Sequence, residues 1–313
     1  MRDSRSPTPN GVRGRAFARA ALLGNPSDGF GGKTIGFTFA ELAAEVTLVA
    51  GAEASTGEPE ARHLIDATIA RFSRDAGIEL PPLAATVRTE IPREVGLGGS
   101  SALVTATLRA LCTLAAIELD PPTTAAIALA VETEDLGIAA GPQDRLIQAH
   151  EGLLYMDFSS SAAGDCERLD PAALPPLFVA WRGDAGAPSS DVHADLRRRY
   201  RQGDRATEST LDEIAALAER GRRCLAAGDA VALGALMEEN VAARGRLVDL
   251  DPRHLRLVEL ASALGAPANY AGSGGAIVGL IPAQIAIEDL RGAFAAEGCE
   301  LCPATPAGDG FSA

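Results

Sequence analysis

A glycine-rich stretch decides the fold of this chain: Gly96-Leu97-Gly98-Gly99-Ser100-Ser101-Ala102. Glycine has no side chain to bury and loses much backbone freedom on folding, so three glycines in four residues indicate a turn. Between residues 101 and 116, apolar side chains recur at helical spacing. The stretch therefore predicts a turn leading into a helix N-terminus, where unpaired amides and the helix dipole favour a polyphosphate. A serine-capped helix without a ligand fits the same residues.

Length and charge exclude several classes of protein. The chain has 313 residues, enough for two domains, and its 28 Lys and Arg against 42 Asp and Glu give a formal net charge of −14. This charge repels nucleic acid and anionic membranes. No apolar run reaches the ~18 residues of a membrane span, and the N-terminus lacks the apolar stretch of a signal peptide. We expect a cytoplasmic protein that binds neither nucleic acid nor membrane.

Strands and helices alternate along the chain. Residues 1–14 are polar and are expected to be disordered. Residues 159–176 contain three prolines and are expected to join an N-terminal domain at 15–165 to a C-terminal domain at 166–313. The predicted strands are 16–23, 33–39, 44–49, 84–90, 153–158, 177–181 and part of 269–281, and the predicted helices are 62–76, 101–116, 123–136, 143–149, most of 190–264, and 285–297.

A second glycine cluster, Gly272-Ser273-Gly274-Gly275, lies in the other half of the chain. Taken alone it is typical of a hairpin turn. Two glycine turns, one from each half, could instead meet around one phosphate group. Residues 27–34 nearly match the P-loop pattern, but they lack its first glycine and lead into a predicted strand, which disfavours a P-loop.

A carboxylate lies in the segment Gly141-Pro142-Gln143-Asp144-Arg145. Beside an arginine and among glycines, Asp144 can stay ionised and accept a proton from a substrate hydroxyl. Glu134 and Asp135, at the end of a predicted helix, are interpreted as solvated surface. Phosphoryl transfer from a nucleotide needs phosphate-binding amides, magnesium ligands, a base and a cation near the transferred group, and the chain offers residues of each kind.

Three segments resemble, in order and spacing, the motifs of the GHMP small-molecule kinases: 24–28, 92–102 and 271–275. A longer likeness, from about residue 15 to the last helix, is to the glucuronokinase family, through 18–28, 91–93, 136–145, 155–158, 174–177 and the pair Asn240 and Arg244. The resemblance implies a two-domain GHMP kinase fold of mixed α/β and α+β class. It has an N-terminal β-α-β domain with a left-handed crossover, a ferredoxin-like, helix-rich C-terminal domain, and an active site between them.

The resemblance also implies an activity. It is that of an ATP- and magnesium-dependent sugar-1-kinase, which phosphorylates the anomeric hydroxyl of D-glucuronate to give glucuronate 1-phosphate and ADP. A kinase for another aldose, such as galacturonate, a heptose phosphate or galactose, is an alternative. A non-catalytic regulator that binds nucleotide and sugar is another, which the presence of Asp144, Glu132 and Ser101 disfavours.

Roles for individual residues follow from the same resemblance. Asp144 would be the base, with Arg19 beside the reacting oxygen, and the Ser101 hydroxyl and Glu132 would hold magnesium, Glu134 being the alternative to Glu132. The ATP phosphates would be bound by Gly96, Leu97, Gly98, Gly99, Ser100, Ser101, Gly272, Ser273, Gly274 and Gly275. The sugar would contact Asn25, Ser27, Asp28, Lys33, Gln143, Arg145 and Arg244.

Two positions depart from the glucuronokinase pattern. Lys33, the only lysine of the chain, stands where arginine is expected, which keeps the charge but loses the two-pronged grip on a carboxylate. Asp191 stands where lysine is expected, a charge reversal that matters if this position meets the substrate. Arg93, Arg145 and Arg244 are candidates for binding a uronate carboxylate.

Overall fold

The first of two antiparallel sheets is built around one long strand. The structure is a computed structural model that describes residues 11–51, 58–183 and 190–307. The sheet contains β1 (Val12–Leu23), β2 (Lys33–Ala50), β3 (Leu83–Thr89), β4 (Leu153–Asp157) and β5 (Asp165–Leu169). β2 pairs with β1 on one side, and on the other with β3 through its second half and β4 through its first half. β5 pairs with the outer side of β4.

Helices connect the strands of the first sheet. α1 (Pro59–Ala76) follows β2, and α2 (Gly99–Ala115), α3 (Pro121–Ala130) and α4 (Gln143–His150) connect β3 to β4. Because β3 and β4 both run antiparallel to β2, they are parallel to each other. The expected β-α-β arrangement is therefore present in the first half of the chain.

The second sheet has the strand order β7-β8-β6-β9. Its strands are β6 (Leu177–Trp181), β7 (Ala268–Tyr270), β8 (Ala276–Leu280) and β9 (Glu300–Pro303). Four helices, α5 (Ser190–Arg201), α6 (Arg205–Ala227), α7 (Ala230–Leu247) and α8 (Pro252–Ala263), lie between β6 and β7, and α9 (Ile287–Ala296) lies between β8 and β9. This β-α-β-β-α-β order confirms the ferredoxin-like second half.

Several predicted bounds were wrong. β1 begins at Val12, which pairs with Leu48, so the lead-in expected to be disordered to residue 14 is too long. The strands predicted at 33–39 and 44–49 are one strand, because both pair with β1 across a bulge that takes up residues 40–42. The expected domain boundary between residues 165 and 166 falls inside β5, a strand of the first sheet. The segment that follows β9 also reaches that sheet, where the Ala40 amide donates to the Thr305 carbonyl.

The helix predicted at 123–136 differs from the prediction at both ends. Asp120 caps it, because the Asp120 carboxylate accepts from the Thr123 amide, and the helix begins at Pro121. Its last turn, Val131–Asp135, is π-helical. Single π turns of this kind frequently occur at functional sites.

The core places the N-terminus of α2 at the junction of the two sheets. α2 is apolar on nearly all sides and is buried against β1, so small side chains set the spacing. A β-carbon at Gly14 would lie 1.9 Å from the Ala106 carbonyl oxygen, which shows how closely strand and helix approach. Within the described residues, no helix combines the length and apolar character that a membrane span requires.

Candidate active site

The two glycine turns predicted from the sequence lie against each other. A β-carbon at Gly96, where φ is +77°, would lie 2.8 Å from the Gly274 carbonyl oxygen, and one at Gly272 would lie 2.2 Å from the Gly96 carbonyl oxygen. Neither contact leaves room for a side chain. The first turn precedes α2, and the second connects β7 to β8. The structure therefore brings together one turn from each half of the chain.

The N-terminus of α2 opens at this junction. Its N-cap is Gly98, with φ of +75° and no side chain to satisfy the amides of the first turn. Gln148 fixes this end of the helix, because its Nε2 donates to the Gly98 and Phe17 carbonyls at 2.9 Å each. Sequence reasoning missed Gln148. The available signal was its spacing, because Gln148 lies four residues after Asp144 and therefore on the same face of α4.

Arg19 on β1 joins both turns to the predicted base. Its Nη1 donates to the Gly96 carbonyl at 2.7 Å and to the Ala271 carbonyl at 2.6 Å. Its Nη2 donates to Asp144 Oδ2 at 2.5 Å. The side chain is buried, so these bonds form away from competing water. One guanidinium thus holds three groups that each lie more than 70 residues from Arg19 in the sequence.

Asp144 is held ionised by its surroundings. It lies in the first turn of α4 with its side chain 18% exposed. Burial opposes ionisation, but the guanidinium groups of Arg19 and Arg145 outweigh it and hold the pKa of Asp144 below its usual range. Asp144 is therefore an ionised carboxylate at neutral pH that can accept a proton.

Asp28 is the second carboxyl of this cluster. It accepts from the backbone amides of Gly29 and Gln143, beside the Asp144 carboxylate. Burial and the neighbouring negative charge of Asp144 raise the pKa of Asp28 to about 7. The two carboxyls therefore differ in protonation near neutral pH, Asp144 being ionised and Asp28 close to half protonated.

Glu132 lies on the π-helical turn, fully buried, and forms an ion pair with Arg145. Its Oε1 accepts from the Ser100 hydroxyl at 2.7 Å. The Ser101 hydroxyl instead donates to the Gly98 carbonyl at 3.1 Å, because the helical rotation of about 100° per residue turns Ser101 away from Glu132. The structure therefore places the Ser100 hydroxyl, and not the Ser101 hydroxyl, against Glu132, and magnesium binding by Ser101 stays a prediction.

The donor set beside α2 suits magnesium. A serine hydroxyl and a carboxylate are hard oxygen ligands, and Mg²⁺ is commonly held by one or two protein groups together with substrate phosphates. Within the described residues, no group of three or more His, Cys, Asp or Glu side chains could hold a metal ion alone. Ser100 and Glu132 fit such a shared site. Glu134, the alternative, lies on the surface in an ion pair with Arg71.

Two of the residues predicted to contact the sugar, Ser27 and Lys33, have polar partners within the protein. The Ser27 hydroxyl is fully buried and exchanges hydrogen bonds with the Lys33 amide and carbonyl, at 3.1 Å each. Lys33 Nζ lies 3.2 Å from Asp157 Oδ2 and 3.9 Å from Glu219 Oε2, on the face of the sheet that meets α6. No described contact joins Lys33 to Asp144.

The three arginines proposed for a uronate carboxylate have protein partners. Arg145 is buried against Glu132, and Arg244 donates to backbone carbonyls of the second glycine turn. Arg93 is exposed and pairs with Glu58 and Glu60. The Asp191 side chain lies outside the described part of the structure. Of the seven predicted sugar contacts, all but Ser27 and Lys33 lie near Asp144 or the glycine turns, and Asn25, Asp28 and Gln143 are the uncharged or protonatable members of that group.

Known proteins resemble this chain in both sequence and fold. The model of the GHMP kinases N terminal domain matches residues 63–152. Two proteins of Arabidopsis thaliana are similar over 87% of this chain and 85% of their own length: Glucuronokinase 1, 32% identical, and Probable glucuronokinase 2, 34% identical. The structure of Lactococcus lactis galactokinase complexed with galactose superposes with a TM-score of 0.79 at 14% identity, covering 96% of this chain and 94% of that chain. At this low sequence identity, the likeness to galactokinase shows a shared fold and no more.

Proposed function

This chain belongs to the GHMP kinase family, and from that premise we propose that it transfers the γ-phosphoryl group of ATP to the anomeric hydroxyl of D-glucuronate. That it is an ATP-dependent sugar kinase follows from the family and from the two glucuronokinase relatives. Glucuronate as the sugar, and the 1-phosphate as the product, are our proposal. The observation that supports phosphoryl transfer at this site is the position of Arg19, which binds Asp144 and both glycine turns.

The proposed reaction is a direct phosphoryl transfer. The anomeric oxygen forms a bond to the γ-phosphorus, the bond from that phosphorus to the bridging oxygen of ADP breaks, and ADP leaves. The proton of the anomeric hydroxyl goes to the Asp144 carboxylate, which the two arginines keep ready to accept it. Arg19, bonded to Asp144, places positive charge beside the oxygens on which negative charge develops.

The two glycine turns are the proposed phosphate site. Amides at the N-terminus of α2 and in the turn at 272–275 would donate to the phosphate oxygens, helped by the helix dipole. Ser100 and Glu132 would hold the magnesium ion, which when bound neutralises charge on the phosphates. Arg145 is paired with Glu132 and lies 3.7 Å from Asp144 Oδ2, so its positive charge faces both carboxylates.

The proposed sugar contacts are Asn25, Asp28 and Gln143. Gln143 is buried, and within the described residues its Oε1 has no hydrogen-bond partner, so it is free to accept from a hydroxyl. Asp28, when protonated, donates a hydrogen bond and does not repel an anionic sugar. If both carboxyls were permanently ionised, they would repel an anionic sugar. Because Asp28 can be protonated, the site favours a uronate. Consumption of ATP favours the cytoplasm as the place of reaction.

An ADP-release assay over a panel of free sugars tests the proposal. The panel holds glucuronate, galacturonate, glucose, galactose and a heptose 7-phosphate, glucose being the uncharged match of glucuronate. We expect the highest kcat/KM on glucuronate. An Asp144→Asn variant prepared in the same way controls for a contaminating kinase. The highest kcat/KM on glucose or galactose would contradict the uronate assignment.

A further inference from the structure

Helix α7 of the second half holds the loop that follows β1. Asn240 and Arg244 are four residues apart on α7, so they lie on one face, and both are buried. Asn240 Oδ1 accepts from the Gly24 amide at 2.8 Å, and its Nδ2 donates to the Asn25 carbonyl at 3.2 Å. The backbone around Asn25 is therefore fixed from α7.

Arg244 extends this link to the second glycine turn. Its Nη1 donates both to Asn25 Oδ1 at 2.9 Å and to the Gly272 carbonyl at 2.7 Å, and its Nη2 donates to the Ser273 carbonyl at 2.7 Å. The guanidinium lies over the Tyr270 ring, 4.8 Å from its centroid. All of these partners belong to the protein, so Arg244 has a structural role in addition to the sugar contact that the resemblance implies.

We propose that Arg244 is a positioning residue that couples the sugar loop at Asn25 to the nucleotide turn at 272–275. The assignment of these two sites rests on the proposed function. Nη1 is shared between Asn25 and Gly272, and the guanidinium is a rigid plane, so a displacement of the Asn25 amide turns the donors that hold the second glycine turn.

The second glycine turn is able to respond to such a displacement. Gly274 and Gly275 have φ of +144° and +85°, conformations that glycine adopts far more easily than other residues, so the backbone of this turn has a freedom that residues with side chains lack. The turn also touches the first one, since a β-carbon at Gly275 would lie 2.8 Å from Val95 Cα. A change at Asn25 therefore reaches the nucleotide site through Arg244.

A double-mutant cycle on nucleotide affinity tests this coupling without any sugar. Isothermal titration with Mg²⁺ and a non-hydrolysable ATP analogue is run on the wild type, Asn25→Ala, Arg244→Lys and the double variant. Lysine keeps the buried positive charge but lacks the planar guanidinium group that donates to several acceptors at once. We expect Asn25→Ala to weaken nucleotide binding roughly 5-fold or more in the wild type and by less than about 2-fold in the Arg244→Lys background.

The controls separate coupling from general damage. Arg246→Gln, which removes an exposed ion pair with Glu213 on the same helix, is expected to leave the effect of Asn25→Ala unchanged. Circular dichroism and thermal melting confirm that each variant is folded. Additive effects of Asn25→Ala and Arg244→Lys, or an Asn25→Ala variant with wild-type nucleotide affinity, would overturn the proposal. Failure of glucuronate phosphorylation would overturn the proposed function and leave this cycle intact.

Discussion

Replacing Asp28 by asparagine should change how the stability of the protein depends on pH. The folded carboxyl has a pKa of about 7 against an ordinary value of 3.8, because it is buried beside the Asp144 carboxylate. The charged groups that act on it are Asp144, Arg19, Arg145 and Arg244. The folded state therefore binds this proton more tightly than the unfolded chain does. The stabilisation that comes from binding this proton is complete below pH 3.8 and is lost as the pH rises through about 7.

The magnitude follows from the same pKa. At about pH 5 the unfolded carboxyl is already ionised and the folded one is still protonated, so each pH unit removes about 1.4 kcal/mol until the folded carboxyl ionises as well. Between about pH 5 and about pH 8 the loss amounts to about 3 kcal/mol. Asparagine keeps the shape of the protonated acid and cannot ionise. The Asp28→Asn variant should therefore lose about 3 kcal/mol less than the wild type over this interval.

Urea unfolding followed by circular dichroism at the two pH values measures this difference. Asp212→Asn, which changes an exposed acid on α6, serves as the matched control and should follow the wild type. Equal losses of unfolding free energy in the wild type and Asp28→Asn would refute the reasoning that the proton is held on Asp28. A larger loss in Asp28→Asn would refute it as well.

Further predictions concern the reacting groups and the turns. Asp144→Asn should lower kcat by ~10²- to 10⁴-fold while leaving nucleotide affinity within about 2-fold, measured by ADP release and isothermal titration, because only proton transfer is lost. Ser100→Ala should raise the Mg²⁺ concentration needed for half-maximal activity more than Ser101→Ala does, since only the Ser100 hydroxyl meets the buried glutamate; the reverse order would restore Ser101 as the ligand. Gly272→Ala should abolish nucleotide binding, because the new β-carbon would lie 2.2 Å from a backbone oxygen of the first turn. The control Gly292→Ala should bind the nucleotide normally, because its new β-carbon would meet no atom within 4 Å.

Much of the fold could be predicted because its signals are local. The helix of α2 and its glycine turn follow from composition and spacing, and β6 lies where it was predicted, at Leu177–Trp181. The edge strand β5 was missed because its side chains are mostly exposed and show no apolar alternation. The continuity of β2 was missed because it depends on pairing with β1 across the bulge, which is a property of two distant segments.

The candidate site could be predicted by residue type but not by partner. The sequence singled out Arg19, Asp144 and both glycine turns, and the structure brings these together. It could not decide whether Arg244 faces a substrate or a backbone carbonyl, because an arginine in sequence carries the same charge in either case. The choice between Ser100 and Ser101 likewise depends on the rotation of α2 about its axis, which only the packed helix fixes.

The fate of the reducing end tests the central claim most directly. Free glucuronate is a reducing sugar through its anomeric carbon, and phosphorylation of the anomeric hydroxyl removes that property. With glucuronate, ATP and Mg²⁺, we expect the protein to consume one reducing end for each ADP formed, and a phosphatase to restore it. Formation of ADP with every reducing end retained, or no ADP with glucuronate at all, would contradict the account.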